Sequence, residues 1–316
     1  MEKILITGHT LTLEELAAVC RDNAPVALAP EAKQRILESR QVVDMLVDEA
    51  AVVYGITTGF GKFSDVTITQ DECRQLQRNL IVTHAVGAGD PFPRDVARGI
   101  MLLRVNNLAK GFSGTRLELV ETLVAMLNRG VTPVIPQKGS LGASGDLAPL
   151  SHMVLPMLGL GQAEYEGEVL PGDVAMERAG IPTVELVAKE GLALINGTQA
   201  MTSVGALAVY DAIGLMKAAD IAAAMSFEAN RGVEDALDPR VHAVRPHDGQ
   251  MKTAANLRNL LFGSGNVTCQ GEIRVQDGYS LRCVPQVHGA SQDAINYVKS
   301  KVEIAVSYTH LTLPTT

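Results

Sequence analysis

The sequence predicts a mainly α protein. Three observations carry that expectation: apolar residues recur at three- and four-residue spacing through most of the chain, Thr-x-x-Glu pairs or prolines open the periodic stretches, and Gly191 to Arg231 is rich in Ala, Leu and Met. With 47% apolar and 20% charged residues among its 316, the chain has the composition of a folded globular protein.

Thr12 and Glu15 form a capping box ahead of LEELAAVC, because hydroxyl and carboxylate can each accept a backbone N–H that the helix start leaves open. Pro30 opens EAKQRILESRQVVDMLVDEAAVVY, where its missing N–H costs nothing, and the pattern carries that helix nearly to Tyr54. Thr69 with Glu72 opens CRQLQRNLIVTHAV. Pro93 precedes DVARGIMLLRVNNLAKG, which Gly111 ends, and Thr115 with Glu118 starts a helix stopped by Gly130 and Pro133. GQAEYEGEVLPG alternates about Glu166-Gly167 and reads as a small hairpin. From Gly191 onward the pattern is that of a buried helix pair, followed by the helical SQDAINYVKSKVEIA. YGITTGFGKFSD, KGSLGASGDLAP and LFGSGN are too rich in glycine for regular structure, and chemistry is expected there. The organisation is therefore read as 1–190, helices broken by loops; 191–305, the start of a long helical bundle; and 306–316, a tail. VSYTHLTLPTT in that tail carries no periodic pattern and reads like a frame translation of a sequencing adapter, so Val306 to Thr316 is expected to be foreign to the natural protein.

A net charge of −8 supplies no basic field to gather nucleic acid or an anionic membrane. Cys20, Cys73, Cys269 and Cys283 show neither CxxC spacing nor paired histidines, so no metal site and no disulfide framework is expected. The first residues lack a basic stretch followed by an apolar run and a cleavage site, which points to a cytoplasmic protein. Asn196, Gln199, Asp211, Lys217 and Asp220 interrupt the most apolar segment, which excludes it as a membrane span.

In GSLGASGDLAPLSHM, Ala143-Ser144-Gly145 sets small residues on both sides of a dehydratable hydroxyl. In a forced tight bend the Gly145 nitrogen can attack the Ala143 carbonyl carbon and close a five-membered ring. Loss of that oxygen and of the Ser144 hydroxyl as water then leaves an exocyclic methylidene. Gly145 has no Cβ to block the approach, and Gly139 and Gly142 permit strained backbone around it. Ala-Ser-Gly alone is a weak signal, and the bland alternative is a loop before a helix. A phosphate cradle is the other alternative, but the Lys-Ser/Thr of a P-loop is absent.

The longer strings narrow the reading. GSLGASGDLAPLSHM, with YGITTGFGKFSD upstream and VQDGYSLRCVPQVHG downstream, resembles the aromatic amino acid lyase and aminomutase superfamily, over about Met1 to Ala305. That resemblance implies a loop-bearing N-terminal region leading into a long central bundle of fumarase/aspartase type, completed by further chain. It also implies a 4-methylidene-imidazol-5-one formed from Ala143, Ser144 and Gly145 with no external cofactor or metal, and homotetramers whose sites are shared between chains. Tyr54 would be the base, Asn196 would sit beside the ring or the substrate amine, Arg282 would hold the substrate carboxylate, and Gln276 and Tyr279 would surround ring and substrate. Gly278 stands where the family often has a bulkier residue. Taken alone, Tyr54 is a packing residue, Asn196 a buried amide in need of a partner and Arg282 a surface charge.

Substrate choice turns on Thr83-His84. Histidine lyases of this superfamily carry Ser-His there, and Thr-His is most similar to that pair. An imidazole can hydrogen-bond a substrate imidazole, whereas a phenyl ring would leave its nitrogens unpaired. The implied reaction is elimination of ammonia from L-histidine to give trans-urocanate, with tyrosine or phenylalanine lyases and 2,3-aminomutases as the alternative and an inactive fragment as the other. A core or capping role for His84 is the ordinary explanation.

Overall fold

A computed structural model of the chain describes residues 3–49, 51–53, 55–56, 58, 70–142 and 144–308. It is mainly α, and it divides into two compact units, Met1–Leu207 with Val302–Thr316, and Ala208–Lys301.

In the first unit, β1 (Ile4–Ile6) and β2 (Val26–Leu28) pair in parallel across α1 (Leu13–Arg21). The expected capping box is present in both halves: Glu15 N–H donates to Thr12 Oγ1 at 3.1 Å and Thr12 N–H to Glu15 Oε2 at 2.9 Å. α2 (Pro30–Asp48) has its proline in the first turn but stops well short of Tyr54. Asp48 and Glu49 place negative charge at the helix's negative end, and Ala51 N–H turns back to Leu46 O at 3.1 Å, which closes the last turn. α3 (Gln70–His84) follows; Thr69, its expected cap, lies outside the described residues, as do Tyr54, Gly59, Gly61 and Ala143.

β3 (Ala88–Pro91) leads into α4 (Arg94–Leu108), whose residues from Ala97 to Leu108 are all buried, so this helix is the axis of the unit. Its Arg98 donates from Nε and Nη2 to Val19 O and from Nη1 to Leu127 O, all within 3.1 Å, tying α1 and α5 (Leu117–Arg129) to the axis. Thr115 and Glu118 do not cap α5. Its N-cap is Arg116, whose N–H donates to the fully buried carboxylate of Glu190 at 3.0 Å, so a distant side chain replaces the local one. Gly130 ends α5 in the left-handed conformation at φ 79°, as expected.

β4 (Thr132–Pro133) and β5 (Pro136–Lys138) come next; β5 pairs with β3, and β4 with the hairpin of β6 (Gln162–Tyr165) and β7 (Glu168–Pro171). Glu166 and Gly167, both at positive φ, make the turn the alternation predicted. α6 (Leu147–Val154) packs on α4, α7 (Gly172–Arg178) packs on the β6–β7 hairpin, and α3, α6 and α8 (Glu190–Ile195) pack on one another.

α9 (Gln199–Ala229) leaves this unit and continues into the second, with α10 (Pro239–Ala243), α11 (Asp248–Leu261), α12 (Tyr279–Arg282) and α13 (Val284–Val306). The sequence reading made the α8–α9 pair buried, yet Met201, Leu215, Ile221 and Met225 stand exposed on α9. Phe227, Leu237, Leu257, Leu261 and Val284 form the second unit's core. Val306 lies within α13 rather than in a patternless tail, and its carbonyl accepts from the buried Asn106 amide at 2.9 Å. Among the described residues no helix is long and apolar enough to cross a membrane.

Candidate functional site

The loop 139–146 connects β5 to α6 through Gly139, Gly142 and Gly145, all at positive φ, where L side chains are strained. Gly145 forms isolated bridges to Gly142 and to Gly197. A Cβ on Gly145 would lie 2.2 Å from Gly197 O, so no other residue fits without moving backbone. Next to it, Asp146 N–H donates to Gly197 O at 2.6 Å.

Asp146 begins α6 but spends its carboxylate elsewhere. Oδ2 accepts Met201 N–H at 2.9 Å in the first turn of α9, and Oδ1 accepts the Ser140 hydroxyl at 3.3 Å. One carboxylate thereby joins both flanks of the loop to a helix start, where negative charge is favoured.

Ser144 Oγ donates to Asn196 Oδ1 at 3.4 Å. Asn196 terminates α8, and its backbone carbonyl accepts from Arg104 Nη2 at 2.9 Å. The fully buried Arg104 guanidinium also donates to Gln199 Oε1 at 2.5 Å and to Ala193 O at 3.0 Å. Burial pushes Arg104 down to about 10, which still leaves it charged at neutral pH. The 193–199 segment is thus held from behind by one cation, with Asn196 turned towards Ser144.

His84 is the last residue of α3. Its Nδ1 lies 2.8 Å from Leu80 O, and since a carbonyl only accepts, Nδ1 carries the proton. The neutral ring then has Nε2 as an acceptor. Thr83 is committed to its own helix, donating to Asn79 O at 2.8 Å. Beyond it, Gly87 N–H donates to His152 Nε2 on α6 at 3.0 Å, fastening the end of α3 to the helix that follows the loop. Burial lowers the pKa of His152, favouring the neutral ring this bond needs.

In the second unit the structure brings Gln276, Tyr279 and Arg282 together. Arg282 Nη1 donates to Gln276 Oε1, and its guanidinium carbon stands 4.2 Å from the Tyr279 ring centroid. Among the described residues no carboxylate pairs with Arg282. Asp277, in the same string, is structural: it accepts Val233 N–H at 2.6 Å and Arg274 Nε at 2.7 Å.

Sequence reasoning missed Arg104, Asp146, Gln199 and Gly197. Asn196-Gly197 is a turn dipeptide that could have flagged the last of these, and an arginine inside the apolar MLLRV run of α4 could have flagged the first. Among the described residues no cluster of His, Cys, Asp and Glu could hold a metal.

Comparisons with known proteins give the family. The aromatic amino acid lyase family model matches residues 11–310. A histidine ammonia-lyase of Clostridium tetani is 60% identical over 307 residues, covering 97% of this chain and 60% of the relative. One from Alkaliphilus oremlandii is also 60% identical, with 97% and 61% covered. Among solved structures, a tyrosine aminomutase from Streptomyces globisporus superposes at TM-score 0.91 and 36% identity, over 97% of this chain and 61% of that one. A histidine ammonia-lyase from Trypanosoma cruzi gives 0.89 and 38%, over 97% and 57%. The chain spans about three fifths of the length of the curated relatives it matches. On the family match, the relatives and the fold together, the chain belongs to the aromatic amino acid lyase family.

Proposed function

We propose that this chain carries the machinery of a histidine ammonia-lyase, eliminating ammonia from L-histidine to give trans-urocanate. The observation that carries the proposal is the Ser144 hydroxyl set against Asn196 in a loop where Gly145 presses on Gly197. This is backbone that admits no side chain at the residue whose nitrogen must close the ring, so the loop fits a 4-methylidene-imidazol-5-one made from Ala143, Ser144 and Gly145. Such a group supplies an electrophilic carbon that turns the substrate amine into a better leaving group.

Other residues are assigned the remaining tasks. Asn196 orients the Ser144 position by hydrogen bonding. His84 offers Nε2 to the substrate imidazole N–H, because Nδ1 is already committed to Leu80. On the strength of the family resemblance, Arg282, which bonds to Gln276 and stacks on Tyr279, is assigned the substrate carboxylate. Tyr54, outside the described residues, is assigned the β-proton on the strength of the family resemblance. In balance, the Cβ–H and Cα–N bonds break, a carbon–carbon double bond forms, and ammonia departs with the abstracted proton returned to solvent. The assembly proposed is a cytoplasmic homotetramer with shared sites. Residues 1–190 are its loop-bearing region, 191–305 open its bundle, and 306–316 are foreign.

Urocanate absorbance after adding L-histidine tests this, with the 316-residue chain and with a version extended by the C-terminal part of the Clostridium tetani relative. Ser144→Ala in the active form should lower kcat by at least about 10³-fold. Conversion of tyrosine or phenylalanine instead of histidine would keep the family and overturn the substrate. Normal turnover by Ser144→Ala would overturn the mechanism.

A further inference from the structure

Away from the loop just described, the first unit holds a groove of about 570 Å³ between α2 and the turn 110–114. Lys110 and Lys189 line it, together with Arg35. On a chain of net charge −8, three cations gathered in one concavity are out of keeping with the average surface. Neither lysine ammonium has a hydrogen bond or ion pair among the described residues, and burial lowers both pKa values. Among the described residues Arg35 bonds to carbonyls, Thr7 O at 2.6 Å and Ala109 O at 3.1 Å. Among the described lining residues the opposing carboxylate is Glu38, which is exposed and accepts from Gln34 at 2.8 Å.

The floor is rigid and apolar. Gly111 lies so close to α2 that a Cβ would meet the Arg35 backbone at 2.7 Å, and Gly114 N–H donates to Ser39 Oγ at 3.0 Å. Arg40 Nη1 adds bonds to Gly114 O and Ala188 O, fixing the turn and the residue before Lys189 to one helix. Val42, Leu46, Ile56 and Phe112 supply the apolar lining. Lys189 itself sits at φ 76°, a left-handed conformation that strains a non-glycine residue and collects at functional positions.

We propose that this groove binds a small organic monocarboxylate with a flat apolar body, its carboxylate held by Lys110 and Lys189 and its body laid on Val42, Leu46 and Phe112. Half-buried lysines lacking counter-ions gain most from an anion that also covers apolar surface. Lys189 immediately precedes α8, whose far end is Asn196, so occupancy bears on the helix that presents Asn196 to Ser144.

Benzoate is the probe, followed by ligand-detected NMR on the 316-residue chain, with inorganic phosphate as a separate arm. Saturable benzoate binding is expected, weakened about tenfold by Lys110→Gln or Lys189→Gln. Glu38→Gln should tighten it, a change of sign that a misfolded variant cannot produce. Absence of saturable binding, or binding that neither lysine variant moves, overturns the site. Lysine-dependent binding of phosphate without benzoate overturns the organic ligand.

Discussion

At the scale of single residues, the candidate site depends on groups that touch it from behind. Gly145→Ala should block loop maturation, because its Cβ would meet Gly197 O at 2.2 Å; intact-mass spectrometry should then miss the loss of two waters expected of the parent. Arg104→Met strands Ala193 O, Asn196 O and Gln199 Oε1 in a dry interior. A cost of about 3 kcal/mol in urea unfolding is expected, and Arg104→Lys should recover only part of it, since an ammonium lacks the fork that reaches all three. Ser144 and Asn196 were legible in the sequence for a plain reason: a hydroxyl between small residues and an amide in an apolar run both demand explanation. Arg104 was not, because helical spacing says that a residue faces inward and nothing about which carbonyls it will find there.

Elements were legible where their ends are decided locally. The Thr12-Glu15 box, the Gly130 stop and the Glu166-Gly167 turn are chemistry within a few residues, and each appears as read. α5 begins where it does because Glu190, far along the chain, takes the Arg116 N–H, and no window around Thr115 contains that information. The end of α3 has a similar long-range tie in His152. Its folded-state pKa is lowered, so the unfolded chain takes the proton first as pH falls. The stabilisation is therefore complete above about 6.5, and falling pH removes it between that value and the lowered folded one. Melting temperature should drop between pH 7.5 and 5, with a smaller drop in His152→Leu. His9 and His242, also lowered with burial as the largest cause, act in the same direction. An unchanged pH step in His152→Leu would remove this tie from the account.

For the molecule as a whole, mainly α architecture followed from periodicity, but which helical faces meet water did not. α9 exposes Leu215 at 69% and Met225 at 65%, and α13 exposes Tyr297 at 66% and Ile304 at 68%, an unusual apolar display for a surface. The 316-residue chain should bind anilinonaphthalene sulfonate, and the pair Leu215→Glu with Met225→Glu should weaken that fluorescence by at least about half, since the dye follows exposed apolar area. A dye signal insensitive to both substitutions would assign the exposure elsewhere. The carboxylate of Asp146, shared between the loop and the first turn of α9, has a wider consequence. The close approach of Gly145 to Gly197 exists where α6, α8 and α9 converge. Under the proposed ring closure, the protein's reactive carbon is a certificate of its own assembly: a nascent or misfolded chain stays chemically inert, and activity is licensed by the folding that creates the pressure.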